Sequence, residues 1–340
     1  MRKAFRLAVA VALLAATATP AASRLVNPDV IKGTTLFEGH PAATHIGSRR
    51  LFAWSNEANG SRIAAFTEVN GGTVTRINPR RTSAYVGGYD QNTDLLVYQQ
   101  VRGNQSDLFL YDVGDRKRMP LRALNDGKWQ WNPSIDTHKG TRWILYGVNG
   151  FASPGAPWRL YLYNDETGEK LLLDETTNRC GCLFPGTIAY PWVTWAVGED
   201  ATAWRYNIKT QERVELLPTD RDEYSVAVTP DGVSYVAQGG DSCGSNAKVY
   251  RVNEDGTFVE LLSFRKRREA TNLTVDTTGP FDRLYYERRN CRTGSSDILR
   301  LRRANVIGSS ASAPARTELV GRANASTRSA SSPDASPRSG

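Results

Sequence analysis

The chain has 340 residues, 40% of them hydrophobic, and a formal charge of +8. That composition excludes a membrane-embedded bundle and a disordered polymer. Much of the basic excess sits at the ends. Arg2, Lys3 and Arg6 open the chain, and four Arg against Glu318 and Asp334 follow Asn305, which leaves about +3 on the body. So small an excess argues against a nucleic-acid partner.

Residues 1–23 read as a secretory signal peptide, with Arg2-Lys3 and Arg6 ahead of the apolar run Leu7 to Ala16 and small residues suited to cleavage. The run is shorter than the ~20 apolar residues of a membrane span. No second hydrophobic stretch follows, so no integral membrane segment is expected, and the predicted location is secreted, either extracellular or in the cell envelope. The expected divisions are 1–23 signal, 24–304 folded body and 305–340 tail.

The body alternates with the period of strands rather than helices. Thr34-Thr-Leu-Phe-Glu38 is an isolated first strand. A three-strand theme then repeats along the chain. Its second strand recurs as Arg50–Trp54, Leu95–Tyr98, Arg142–Tyr146, Trp192–Trp195, Val233–Val236 and Arg283–Tyr286. Its third recurs as Arg62–Thr67, Asp107–Asp112, Arg159–Asn164, Ala203–Asn207, Lys248–Val252 and Asp297–Leu301, at offsets of 43 to 52 residues. A Gly- or Ser-containing strand precedes some pairs, as in Asn132–Asp136 and Tyr224–Val228. A short fourth strand follows others, as in Lys170–Asp174, Arg213–Leu217 and Phe258–Leu262. Turns such as Pro230-Asp-Gly232 and Glu254-Asp-Gly256 suit hairpins.

Four short strands every 40 to 50 residues predict an all-β fold, a six-bladed β-propeller of four-stranded antiparallel blades. The sixth unit lacks a fourth strand after Leu301, so an N-terminal strand, Thr34–Glu38, is expected to complete it and close the ring. A pair of two-sheet sandwiches is the alternative. Beyond Ala304 nine of 36 residues are Ser, with few large apolar side chains, which predicts a disordered tail rich in Ser, Ala, Pro and Arg.

Pro133-Ser-Ile-Asp136 with Lys139-Gly140 and Arg142–Tyr146, and Val228-Thr-Pro-Asp-Gly232 with Val233–Val236, resemble the strand–Pro-Asp-Gly–strand unit of the secreted TolB-like, WD40-like propeller family. The resemblance covers the repeat body and has no counterpart to TolB's N-terminal domain. It implies the propeller fold and a tendency to bind proteins or peptides, and implies no reaction.

In a propeller the loops leading into each blade share a face with the loops between second and third strands. All four cysteines fall on that face. An even count in an exported chain favours disulfides over zinc, since Cys180-Gly-Cys182 has the wrong spacing for a metal pair. The expected pairs are Cys243–Cys291 and Cys180–Cys182. Arg81, Trp129, Trp131, Phe184, Tyr224 and Arg268 are the candidate ligand-binding residues of the same face, because aromatic platforms beside Arg donors suit peptides or sugars. Packing between blades is the competing role for Trp129 and Trp131.

Gly240-Asp-Ser-Cys-Gly244 matches a nucleophile-elbow pattern, but a strand follows where the elbow needs a helix, so Ser242 reads as a loop residue. Asp90-Gln-Asn-Thr-Asp94 resembles a calcium loop without its Gly and Glu, and reads as a polar hairpin turn. Arg265-Lys-Arg-Arg268 reads as a solvated turn. No metal, cofactor or catalytic residue is assigned. The expected function is non-enzymatic binding of a protein, peptide or glycan ligand by a monomer. The alternative is a propeller enzyme (a lyase, lactonase or glycan-acting hydrolase) working in a polar channel lined by Asp90, Asp136, His138, Glu223, Glu269 or Asp276.

Overall fold

The period-2 alternation becomes strands throughout a computed structural model that describes residues 29–32, 38–46, 49–58, 61–68, 73–149, 156–177, 183–197, 202–217, 222–239, 246–265, 267–278 and 282–302, and two short strands further on. Every regular element among them is a strand. None is a helix long and apolar enough to cross a membrane.

After β1 (Asp29–Lys32), the first sheet comprises β2 (Glu38–Ile46), β3 (Arg49–Ala58), β4 (Ser61–Glu68) and β5 (Thr75–Arg76). The second unit is β6 (Ser83–Tyr89), β7 (Leu95–Arg102), β8 (Gln105–Asp112) and β9 (Lys117–Pro120). The third is β10 (Trp129–His138), β11 (Thr141–Asn149), β12 (Trp158–Asn164) and β13 (Lys170–Thr176). The fourth is β14 (Leu183–Ala189), β15 (Trp192–Val197), β16 (Thr202–Asn207) and β17 (Glu212–Glu215). The fifth is β18 (Glu223–Val228), β19 (Ser234–Gln238), β20 (Lys248–Val252) and β21 (Thr257–Ser263). The last is β22 (Arg268–Asp276), β23 (Arg283–Asn290) and β24 (Ser296–Arg302). Each unit is an antiparallel meander, and a single parallel contact, Trp129 to Ser106, joins the second to the third.

The first strands of successive units pack on one another in order, and β22 packs back on β2. The apolar cores follow the same order, each shared by two neighbouring units. Phe66 and Ala53 of the first meet Tyr98 and Tyr111 of the second. Leu145 and Leu160 of the third meet Trp195 and Tyr206 of the fourth. Phe52 and Trp54 of the first meet Tyr285 and Ile298 of the last. The sheets are therefore buried on both faces, which is why third strands such as Leu108-Phe-Leu-Tyr111 and Leu160-Tyr-Leu-Tyr163 carry large apolar side chains on both.

β1 pairs antiparallel with β24, Asp29 opposite Arg300 and Val30 opposite Leu299. This corrects the choice of Thr34–Glu38 as the outer strand. Glu38 already opens β2, an innermost strand, whereas the edge of β24 lies three strands out, about 14 Å away at ~4.8 Å per strand. A strand ending at Glu38 would leave no chain to cross that distance. Further along, β25 (Ala311–Ser312) pairs with β21 and β26 (Thr317–Leu319) with β17.

Candidate functional site

The innermost strands carry an irregularity that a period-2 pattern does not announce. Each has a register shift, a β-bulge, near the same level: Gly39/Ala42, Val86/Gly88, Trp131/Ser134, Pro185/Ile188, Glu223/Ser225 and Thr271/Thr274. His40, Asn132 and Asn272 sit there with φ of 50°, 41° and 50°, a left-handed conformation that Asn and His tolerate better than most residues. A bulge takes an amide out of its ladder. Hydroxyls of the preceding unit accept amides at three of these bulges, Ser55 Oγ from Val86 N–H at 2.8 Å, Ser134 Oγ from Ile188 N–H at 3.2 Å and Ser225 Oγ from Leu273 N–H at 2.8 Å, and Thr187 Oγ1 accepts from Val228 N–H at the far end of β18 at 2.9 Å. Gly87 is required for close approach, since a Cβ there would lie 2.1 Å from Pro133 O.

The bulged level encloses a cavity of about 540 Å³ on the axis, toward the ends at which the innermost strands begin. Its two sides differ in chemistry. Val86, Gly87, Pro133, Phe184, Pro185 and Gly186, from the second to fourth units, form a largely apolar side that Asn132 and Thr187 interrupt. His40 and Arg62 of the first unit, Tyr224 of the fifth, and Glu269, Asn272, Glu287 and Arg289 of the last form a polar side.

The polar side is organised by hydrogen bonds. Tyr224 OH donates to Glu269 Oε2 at 3.3 Å, and Arg289 approaches Glu269 at 3.9 Å. Asn272 Nδ2 donates to Glu287 Oε2 at 2.6 Å. Glu287 is 2% exposed, and burial pushes its carboxyl above the usual range against the opposing pull of Asn272, Ser296 and the two arginines. The Arg62 guanidinium lies 4.9 Å over the Tyr85 ring, which His40 meets edge-on. Burial first, and the Arg62 charge second, lower the His40 pKa to about 3, so its imidazole is neutral.

Below this level the axis narrows to about 20 Å³ among Tyr89, Gln91, Ala189, Val228 and Thr277. Gln91 bridges three consecutive units there, donating to Ala43 O of the first at 3.2 Å and accepting from Thr277 N–H of the last at 3.3 Å. Beside it Asp90 accepts from Thr137 and Asn92. Asp136 accepts from Asn92 Nδ2 at 3.0 Å and Tyr190 N–H at 2.7 Å. The Asp90–Asp94 segment is thus a clasp joining the second, third and fourth units. Burial, with the nearby Asp90 charge, raises the Asp136 pKa to about 7 against the lowering effect of its hydrogen bonds.

Among the candidate residues, Phe184 and Tyr224 line the cavity; Arg81, Trp129, Trp131 and Arg268 do not. Arg81 is exposed in the turn before β6 with φ of 64°. Trp129 is half-buried at the start of β10. Trp131 packs edge-on against Trp158 beside the core shared by the third and fourth units, its ring seated on Gly147. Arg268 is exposed at the start of β22. Cys291 is disulfide-bonded, while Cys180, Cys182, Cys243 and Ser242 lie outside the described residues.

The residues named for a polar channel have other engagements. Glu223 accepts from Ala203 N–H at 2.8 Å, His138 stacks on Tyr190 at 4.1 Å, and Asp276 pairs with Arg283 at 3.3 Å. Only Glu269 of that group faces the cavity. Glu287 and Arg289 were missed because they come from the end of a second strand, where the sequence pattern Glu-Arg-Arg looks like an ordinary exposed edge.

No protein-family model matches the sequence, and no curated protein is similar to it at a significant level. Solved structures are similar in fold. TolB from Acinetobacter baumannii matches with a TM-score of 0.50 and 13% identity over 75% of this chain and 64% of that one. This chain therefore spans under two thirds of TolB's length. The β-propeller domain of the Trilobed protease from Pyrococcus furiosus matches with a TM-score of 0.47 and 11% identity, over 81% of this chain and 97% of that domain. An oligogalacturonate lyase from Vibrio parahaemolyticus matches at 0.44 and 12%, over 80% and 81%. The chain is all-β and similar in structure to TolB and other β-propeller proteins.

Proposed function

We propose that this protein is an exported six-bladed propeller, closed by β1 on β24, that binds a peptide or a segment of a protein without chemical turnover. The observation that carries the reading is the axial cavity, apolar on one side and hydrogen-bonding on the other, at a size typical of ligand sites. Such a division suits a peptide, whose side chains and backbone present both chemistries at once. The signal at 1–23, a folded body at 24–304, a tail at 305–340 and the pairs Cys243–Cys291 and Cys180–Cys182 belong to the same proposal. So do location in the envelope or outside the cell and a wider binding face on which Arg81, Trp129, Trp131 and Arg268 surround Phe184 and Tyr224.

The test is affinity capture from envelope and culture fractions, read by mass spectrometry, beside a Phe184→Ala/Tyr224→Ala variant checked for folding. A partner retained by the native protein and lost by the folded variant supports the proposal. Equal retention removes the cavity from it. One observation favours a sugar-acting enzyme as the second reading: two carboxyl groups, Glu269 and Glu287, face one cavity, and burial raises the Glu287 pKa. Turnover of a uronide or lactone that Glu287→Gln abolishes would establish that reading instead.

A further inference from the structure

We infer that the cavity takes the free C-terminal end of an acidic peptide, an inference that rests on the peptide-binding reading above. Lower on the axis the space falls from about 540 Å³ to about 20 Å³, where Gln91 ties the second unit to Ala43 of the first and Thr277 of the last, too narrow for a bound chain to run through. What enters is an end.

The charges choose which end. Arg62 and Arg289 both belong to the polar side. Of the two carboxylates near them, Glu287 accepts from Asn272, and Glu269 accepts from Tyr224 and lies 3.9 Å from Arg289, a separation that leaves the guanidinium room for a closer partner. Glu287 is buried and Arg289 is about half exposed, so the cation is the more accessible partner for an incoming group. A carboxylate meets charge-assisted donors there, whereas an ammonium would meet two guanidiniums.

The rim extends the same field. Arg265, Arg267, Arg268 and Arg292 are exposed on the loops flanking β22 and β23. Cys291 N–H donates to Arg267 O at 3.0 Å, which holds those two loops side by side. Acidic residues just before the terminus would lie along this rim, while an apolar last side chain rests on Pro133, Phe184 and Pro185.

The test uses the full chain and three pools of N-terminally fluorescein-labelled hexapeptides, read by fluorescence anisotropy. All pools end in an apolar residue. The first carries Asp or Glu at positions three to five and a free C-terminus. The second is the same pool amidated at the C-terminus, and the third has Lys in place of the acids. The free-acid pool is expected to bind at least about tenfold tighter than the other two. Arg289→Gln, an exposed substitution, should shrink the acid-to-amide ratio to under about threefold while the circular dichroism spectrum and Tm stay unchanged. Equal affinity for acid and amide would overturn the terminal-carboxylate assignment and leave peptide binding standing. Preference for the Lys pool would overturn the acidic assignment. Binding of none would remove both the inference and the reading beneath it.

Discussion

The same six strands build both ends of the axis, yet the two ends do opposite things. At the upper level their bulges push the strands apart around about 540 Å³, and side chains such as Tyr224, Glu269 and Arg289 face the space. At the lower level the space falls to about 20 Å³, and Asp90, Gln91, Asn92 and Asp136 bond to neighbouring units instead. The lesson is a division of labour along one strand. Residues before the bulge face the cavity, while those after it bond to neighbouring units. Changes at the lower level should therefore cost stability, and changes at the upper level should cost binding.

The largest effect is expected where the two levels meet. Gly87→Ala places a Cβ 2.1 Å from Pro133 O and 2.7 Å from Pro133 Cγ, so β6 and β10 must separate. Overpacking of this kind costs about 3 kcal/mol or more when backbone has to move. Chemical denaturation should show that loss, and ligand binding should weaken with it. A wild-type midpoint would show that the two strands are not in close contact.

The lower clasp gives the next effect, through pH. The folded Asp136 pKa, raised to about 7, stands above the unfolded value near 4, so the neutral form is favoured by folding. Its contribution is full below about pH 4 and is lost as pH rises through 7, on the order of a few kcal/mol. Burial raises Asp282 and Glu287 as well, so they add to the same trend. The difference between wild type and Asp136→Asn isolates this site. Denaturation from pH 4 to 8 should show a flatter curve for the variant, and parallel curves would refute the assignment. Gln91→Ala should follow with about 1 kcal/mol, the usual net value of hydrogen bonds lost at a buried junction. Its effect on affinity should be negligible, because Gln91 touches the floor and not the cavity wall.

The strand pattern was legible because both faces of each sheet are buried and the aromatic third strands repeat at nearly constant offsets. The bulges were not, because one extra residue at His40, Asn132 or Asn272 only shifts the phase of an alternation already short. The hydroxyl contacts from Ser134, Thr187 and Ser225 were equally hidden, since each partner amide lies 41 to 54 residues away. The site was legible only where it rests on first strands. Phe184 and Tyr224 do, whereas Arg62, Glu287 and Arg289 reach the cavity from the ends of other strands. Trp131 misleads for a local reason. Its alternation with Trp129 resembles a surface pair, but the absence of a side chain at Gly147 gives its ring a seat, with the indole 2.3 Å from where a Cβ would be.

Tyr224→Phe is expected to produce the smallest change in stability and the sharpest separation of the two levels. The ring lies against Gly239, where a Cβ would sit 2.4 Å from it, and Phe keeps that packing. Only the hydroxyl goes, and with it a 3.3 Å bond to Glu269, which retains Arg289 nearby. A long bond at a solvent-facing cavity should be worth under about 1 kcal/mol to folding. Binding responds differently. Released from Tyr224, Glu269 can turn fully toward Arg289 and compete with an anionic ligand for the same guanidinium. Affinity for an acidic free-acid peptide should fall by about threefold to tenfold while Tm moves little. If Tm falls substantially and affinity does not, the upper level is structural and the contrast between the two ends of the axis disappears.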